Sequence, residues 1–447
     1  MQRIIKLLSL LSIVALVFSC SGSKQVTTES GAVIEDILVQ AQAQELQTLI
    51  EANPTNQEYR RQLASLYFEN RLNLEAMKTL EKAIIMDPND SETMFLYGEI
   101  AVEAGDKVKG YHAYKKVLQG LDGTSYVDRI APKFSDSFIT ELLIGGSGQQ
   151  AFGAFSADGS RIIYQADTQG NWDIFEYNVA DKARNPIVQT ESHEENPAFA
   201  PDGNTIVYTS TVEDHRDVEY DQKVRDIFMK DLVSGRETNL TTNGSDDWHP
   251  KYAFDGKYIA FVSERNDLRN VPFYQLFGNV FIMEADGRFQ LELAHADAHS
   301  GSPSIAPGST EDQGLVYFDS DRDGDRAIYQ MDFKGENLRQ ITFNPGSSDV
   351  GPDVSASGDK IVFCSDRDGN FEVYMMNSDG SAQQRLTSNG ADDLNPVFSP
   401  DGQKVLFHSN RNGDFDIFLM DLSTQSSTLA VSEVVNRIDK ALQIQPR

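Results

Sequence analysis

Imidazoles and carboxylates gather in five short segments, ESHEENP, DDWHP, AHSGSP, SDVGP and DDLNP, which supply His193, Glu194, Asp247, Trp248, His249, His299, Asp349 and Asp393. If the fold brings these segments to one opening, their nitrogen and oxygen atoms could hold a small ligand or a divalent metal. The plainer use of the same residues is to solvate and hydrogen-bond turns. A second cation candidate, Asp319-x-Asp321-x-Asp323-Gly324, matches the first half of a calcium loop, but Gln330 stands where the bidentate Glu belongs. The turns SDRDG (365–369) and SNRNG (409–413) repeat that shape, which points to short Asx-type turns.

Two longer segments, TVEDHRDVEYDQKVR (211–225) and ERNDLRNVPFYQLFG (264–278), carry Tyr220, Phe273, Tyr274 and Phe277 close to Arg216, Arg225 and Arg269. With Trp248 these form a candidate partner-binding patch, because exposed aromatics beside Arg are what protein interfaces use. The alternative is that VPFYQLF buries itself as a local mini-core. There is no GxSxG elbow, HExxH pair or Gly-rich phosphate loop, and HEEN at 193–196 lacks a second His. No catalytic residue is therefore assigned. No cofactor is expected, a divalent cation at the opening being the one alternative.

The elements that must position these residues are repeats. The stretch FSPDGQKVLFHSNRNGDFDIFLMDL (398–422) reads as strand, tight turn, strand, polar turn and strand. Weaker copies align on Asp158-Gly159, Asp202-Gly203, Asp255-Gly256, Gly308-Ser309, Ser357-Gly358 and Asp401-Gly402, at intervals of 44 to 53 residues. A further strand closes each unit, as in RQITFN and QRLTSN. Six four-stranded units in one run predict an all-β six-bladed propeller, which leaves only short, protected sheet edges. Antiparallel alternation then places both long segments, between second and third strands, on the same face as the His- and Asp-bearing loops. One face is elaborated, and the other keeps short turns such as PDG.

FSPDG, SDRDG and the terminal RLT resemble the propeller repeat of TolB, the periplasmic component of the Tol system, over roughly two thirds of the chain. The fourth copy departs from it, with IAPGSTEDQG in place of the FSPDG turn. The resemblance implies a protein-binding platform in the cell envelope, with a partner such as an outer-membrane or peptidoglycan-linked lipoprotein. Propellers of this kind also serve as gates on proteases and as lyases, some of which bind a metal at the channel mouth through His. The alternatives are thus a metal-dependent polysaccharide lyase or hydrolase, or a receptor for a small cationic or sugar ligand.

The chain opens MQRIIKLLSLLSIVALVFSC, with Arg3 and Lys6 before an apolar run: a secretory leader over 1–19. LVFSC resembles the bacterial lipoprotein box, which makes Cys20 the lipidated residue, and Ser21 after it resembles the sorting signal for the outer membrane. A small, polar tether follows to residue 32. Residues 33–120 read as a helical domain. Asn53-Pro54 and Asp87-Pro88 punctuate it 34 residues apart, the period of tetratricopeptide repeats, whose packing residues Leu63, Ala64, Tyr67, Ala76, Leu80, Ala83, Tyr97, Gly98, Ala101, Gly110 and Tyr114 resemble. The fold class is a small tetratricopeptide-type α-helical domain followed by an all-β six-bladed propeller. A linker spans 121–137, the propeller 138–433 and a tail 434–447.

Two segments compete to close the ring, ITELLIGG (139–146) and STLAVSE (427–433). The first is favoured, because it runs straight into the first blade. Lipidated leader, helical repeats and propeller together also resemble subunits of bacterial gliding and secretion machinery, whose peptidoglycan-binding C-terminal domain is not matched here. A formal charge of −29 disfavours nucleic acid and adhesion to anionic lipid, leaving a lipid anchor as the membrane contact. If Cys20 carries lipid, Cys364 has no disulfide partner and reads as a small core residue.

Overall fold

A computed structural model describes residues 37–167, 170–272, 275–293, 295–308, 314–425 and 429–444. The leader, Cys20 and the tether lie outside the described residues, as do Phe273 and Tyr274. The chain divides into two compact units, Met1–Asp122 and Gly123–Arg447. Among the described residues no helix is long and apolar enough to cross a membrane.

Among the described residues the first unit contains five helices, Ile37–Ala52, Gln57–Glu69, Asn73–Met86, Ser91–Glu103 and Lys107–Leu118. Three begin on side-chain caps: Asn56, Asp90 and Asp106 accept the N–H groups of Glu58, Thr93 and Lys109, satisfying donors that the helix itself cannot. The packing residues picked out by the 34-residue period are in the core, with Ala64, Ala76, Leu80, Ala83 and Ala101 fully buried. Gly98 lets the fourth and fifth helices close, since a Cβ there would come within 2.7 Å of the Tyr114 ring.

The second unit is the six-bladed propeller, six separate four-stranded sheets. Blades 1 to 5 run in chain order (149–188, 194–239, 247–292, 300–340 and 349–385). The sixth combines Asp393–Phe398, Lys404–Ser409 and Asp416–Gln425 with the N-terminal strand Phe138–Ile144. That strand pairs antiparallel with Asp416–Gln425, Glu141 opposite Leu419, so ITELLIGG closes the ring as expected. The competing segment instead leads into a helix, Val431–Ile444.

Six apolar clusters, one at each blade interface, form the core; that between blades 6 and 1 contains Ile144, Ile162, Tyr164 and Ile417. Cys364 lies fully buried in the fifth blade. The hairpin glycines at 159, 203, 256, 308, 358 and 402 all have φ between 68° and 78°. The fourth copy departs: its hairpin runs from Ala306 to Leu315, Gly308 follows Pro307 directly where two other copies have Asp, and residues 309–313 lie outside the described residues.

Two expectations are corrected. Residues 121–137 are not a bare linker: the helical turns Gly123–Tyr126, Val127–Ile130 and Ala131–Lys133 bury Tyr126, Val127, Ile130 and Phe134. Ser137 N–H then donates to Leu386 O at 2.7 Å. Nor is 434–447 a plain tail, because Val434, Ile438 and Ala441, spaced on one face of the C-terminal helix, are buried. Ala441 rests on Gly390, and Arg437 donates to the Phe134 carbonyl.

Candidate functional site

Every innermost strand breaks register once, at one shared position. The left-handed residues there are Phe152, Asn196, His249, Ser302, Gly351 and Asn395, with φ from 46° to 64°. Five of the six are followed by Pro, which suits a strand whose outer edge faces the channel and needs no donor there. The six form a ring around a cavity of about 100 Å³. Asn196 Oδ1 and His249 Nδ1 are buried in it without a hydrogen-bond partner. Burial holds the His249 pKa down to about 4, so this imidazole is neutral at pH 7.

Above the ring, most of the sequence-predicted acids are occupied within their own blades. Asp247, Asp349 and Asp393, all buried, pair with Arg265, Arg367 and Arg411 at 2.9, 3.0 and 2.8 Å. Each of these Arg side chains also donates to a Ser two residues earlier, and each lies over two aromatic rings of its blade, as Arg367 does over Phe363 and Tyr374. The motif S-x-R, seen in the sequence only as a turn, is a staple joining the turn to the first strand. The fourth blade has Ser300 where the third, fifth and sixth have Asp. Its Arg322 donates to the Ser300 and Ser320 hydroxyls, and burial lowers its pKa below the ordinary value.

Glu194, also buried, accepts from Thr190 and Ser210, and burial raises its pKa. The ring of ligands proposed from the sequence thus does not form: among the described residues no three His, Cys, Asp or Glu side chains are placed to hold a metal. The calcium-like run is likewise used up locally. Asp319 pairs with Arg326 at 2.5 Å, Asp321 accepts the His299 N–H and Asp323 accepts the Tyr329 hydroxyl.

The two long insertions share one construction that the sequence reading missed. Asp214 and Asp267 each hold the Arg two residues on, Arg216 or Arg269, at 2.6 Å. Each also accepts a backbone N–H ten residues on, from Val224 at 2.9 Å or Phe277 at 2.7 Å. The same Arg donates to the carbonyl of Gln222 or Gln275. The signal was present as DHRDVEYDQ against DLRNVPFYQ, a match that places Tyr220 and Phe273 at equivalent positions. Arg216 and Arg269 therefore hold their own loops in shape while remaining partly exposed.

On this frame the aromatic residues come to the mouth. Tyr220 stacks on His193 with ring centroids 3.8 Å apart and donates its hydroxyl to Glu195 at 2.5 Å. Arg225 lies between Asp246 and Glu195 (3.6 Å to the latter) and over the Trp248 indole. Gly278 makes room for that indole, since a Cβ would lie 2.5 Å from its edge. Phe277 sits under Arg269 at 3.6 Å and meets His299 edge-on at 4.9 Å. Burial lowers the pKa of both His193 and His299, which act as aromatic partners. Tyr220, Arg225, Trp248, His193 and the unforeseen Glu195 make one cluster, and Phe277, Arg269 and His299 a second.

Residues 350–440 match the family model described as the TolB beta propeller domain. The TolB-type resemblance of the repeat is thereby borne out. A curated relative, dipeptidyl-peptidase 5 of Porphyromonas endodontalis, is 30% identical over 147 residues, 32% of this chain. The match spans 20% of that relative's length. Among solved structures, TolB from Acinetobacter baumannii is 20% identical, covering 72% of this chain and 71% of its own, with a TM-score of 0.43. An Agrobacterium tumefaciens protein assigned to TolB is 19% identical over 63% of this chain and 93% of its own, with a TM-score of 0.47. An oligogalacturonate lyase solved with manganese is 16% identical, covering 64% of this chain and 94% of its own, with a TM-score of 0.43.

Proposed function

We propose that this chain is a non-catalytic envelope lipoprotein, anchored through Cys20 to the bacterial outer membrane and facing the periplasm, whose propeller binds a protein partner on its elaborated face. The observation that supports this reading is the pair of insertions built on the same Asp-x-Arg clamp in adjacent blades. The clamped loops set Tyr220 and Phe277 near Trp248 of the third blade's innermost strand, aromatic residues of the types on which protein interfaces depend. The TolB-type repeat favours a partner within the envelope, such as an outer-membrane or peptidoglycan-linked lipoprotein, in an integrity, secretion or motility complex.

Two measurements test the reading. A pull-down from membranes with wild type and with Tyr220→Ala/Phe277→Ala is expected to recover one stoichiometric envelope protein with the first and lose it with the second. Recovery of the same protein by both would move the interface elsewhere. Metabolic labelling with an alkynyl fatty acid is expected to mark wild type and not Cys20→Ser. Equal labelling would remove the anchor from the account.

A further inference from the structure

The face opposite the two long insertions holds a cavity larger than the one inside the ring. The last residue of each innermost strand ends beside the channel there, and Phe155, Phe199, Tyr252, Ile305 and Phe398, with Phe254 on a turn, wall a funnel of about 310 Å³. Phe254 is 44% exposed, although nothing in a hairpin turn calls for a large aromatic. At the floor, Lys251 and Asp353 bridge the channel as an ion pair. Among the described residues they are the only charged side chains lining the funnel, and the same pair lines the ring cavity above.

The two partners are not equally satisfied. Asp353 Oδ1 accepts from Lys251, and Oδ2 accepts the Phe398 N–H at 2.9 Å. The Lys251 ammonium has three donors, and among the described residues Asp353 is its one acceptor. Two unused cationic N–H groups thus stand at the base of an apolar funnel, in a chain whose formal charge is −29. An apolar cavity with one convergent polar group is the usual form of a small-molecule site.

We infer that the funnel binds a small aromatic or aliphatic carboxylate, its apolar body against the Phe and Tyr walls and its head on the Lys251 ammonium. The carboxylate is favoured over an amine because each Asp353 oxygen already accepts one hydrogen bond, whereas two of the three Lys251 donors have no acceptor among the described residues. It is favoured over a neutral head because a charge-assisted hydrogen bond is about twice as strong as a neutral one. The site is distinct from the partner face and stands or falls separately from it.

The test is calorimetric titration of the full chain with 3-phenylpropionate, hexanoate and the neutral isostere 3-phenylpropionamide. The acids are expected to bind saturably and about tenfold or more tighter than the amide, a difference of about 1.4 kcal/mol. Lys251→Met is expected to abolish acid binding, and Lys251→Arg to retain it. Because Lys251→Met strands Asp353, the double variant Lys251→Met/Asp353→Leu, checked for folding by circular dichroism, provides the second arm and is also expected not to bind. Equal affinity for acid and amide, unchanged binding in the folded double variant, or no saturable binding of either acid would each overturn the assignment.

Discussion

Lys251 of the third blade and Asp353 of the fifth occupy the same register position of their innermost strands and meet across the channel as an ion pair. The other four blades place Ala154, Ala198, Ser304 and Val397 at that position. The repeat alone would make a symmetric, largely apolar bore. Two substitutions within it divide the channel into a polar ring under the elaborated face and an aromatic funnel under the other.

The staples allow a matched comparison. Arg411→Ala removes the cation from buried Asp393 and from Asp136, and stranding a buried charge costs about 3–5 kcal/mol. Arg322→Ala breaks hydroxyl contacts and the same kind of ring stacking, on Phe318 and Tyr329, but no ion pair to the first strand, since Ser300 stands where the Asp would be, and should cost about 1–2 kcal/mol. Urea unfolding of the two variants is expected to rank Arg411→Ala well below Arg322→Ala. The reverse order would mean that the ion pairs are not what holds the turns to the inner strands.

Ring closure by the N-terminal strand predicts long-range sensitivity. Ile144, fully buried against Ile162 and Ile417, joins the sixth blade to the first. Ile144→Ala should cost about 2–5 kcal/mol, by lost burial plus the cavity left behind. Hydrogen exchange should show the loosening first in Asp416–Gln425, the strand paired with it. Protection unchanged there would contradict the closure.

Glu264 makes stability depend on pH. Burial, together with the charge of Asp246, pushes its pKa up to about 8 from an ordinary 4.5, and its Oε2 has no hydrogen-bond partner. The folded chain holds this proton more tightly than the unfolded chain does. Its stabilisation is therefore complete below about pH 4.5 and is lost as pH rises through about 8. His249 acts in the opposite sense: its pKa, lowered by burial to about 4, costs stability as pH falls from 6.5 towards that value. Glu264→Gln should flatten the decline in Tm between pH 5 and 8 and leave the acid limb in place. A parallel decline in the variant would show that Glu264 is not the group responsible.

Much of the fold was legible because the repeat states itself six times, and turn chemistry and strand period agree in every copy but the fourth. The channel mouth was less legible. Asp247, Asp349 and Asp393 looked like converging ligands because a one-dimensional alignment shows which residues share a loop but not which Arg reaches back to them. Their partners sat 18 residues downstream in the S-x-R turns. The clamp in the insertions was written plainly as Asp-x-Arg and a distant Gln, but its acceptor is a backbone carbonyl, which leaves no trace in side-chain pattern. The Lys251 and Asp353 pair was hidden for another reason: it spans two blades, and only the closed ring brings those strands face to face.

The central claim, that the elaborated face is where a protein partner binds, is tested most directly by placing a photo-crosslinking amino acid at Tyr220 or Leu268 on that face, or at Phe254 on the other, in cells producing the full chain. The account predicts one and the same envelope protein joined through positions 220 and 268, reproduced with the two purified proteins, and no adduct through 254. Crosslinking of that protein through 254 with none through 220 and 268 would contradict it.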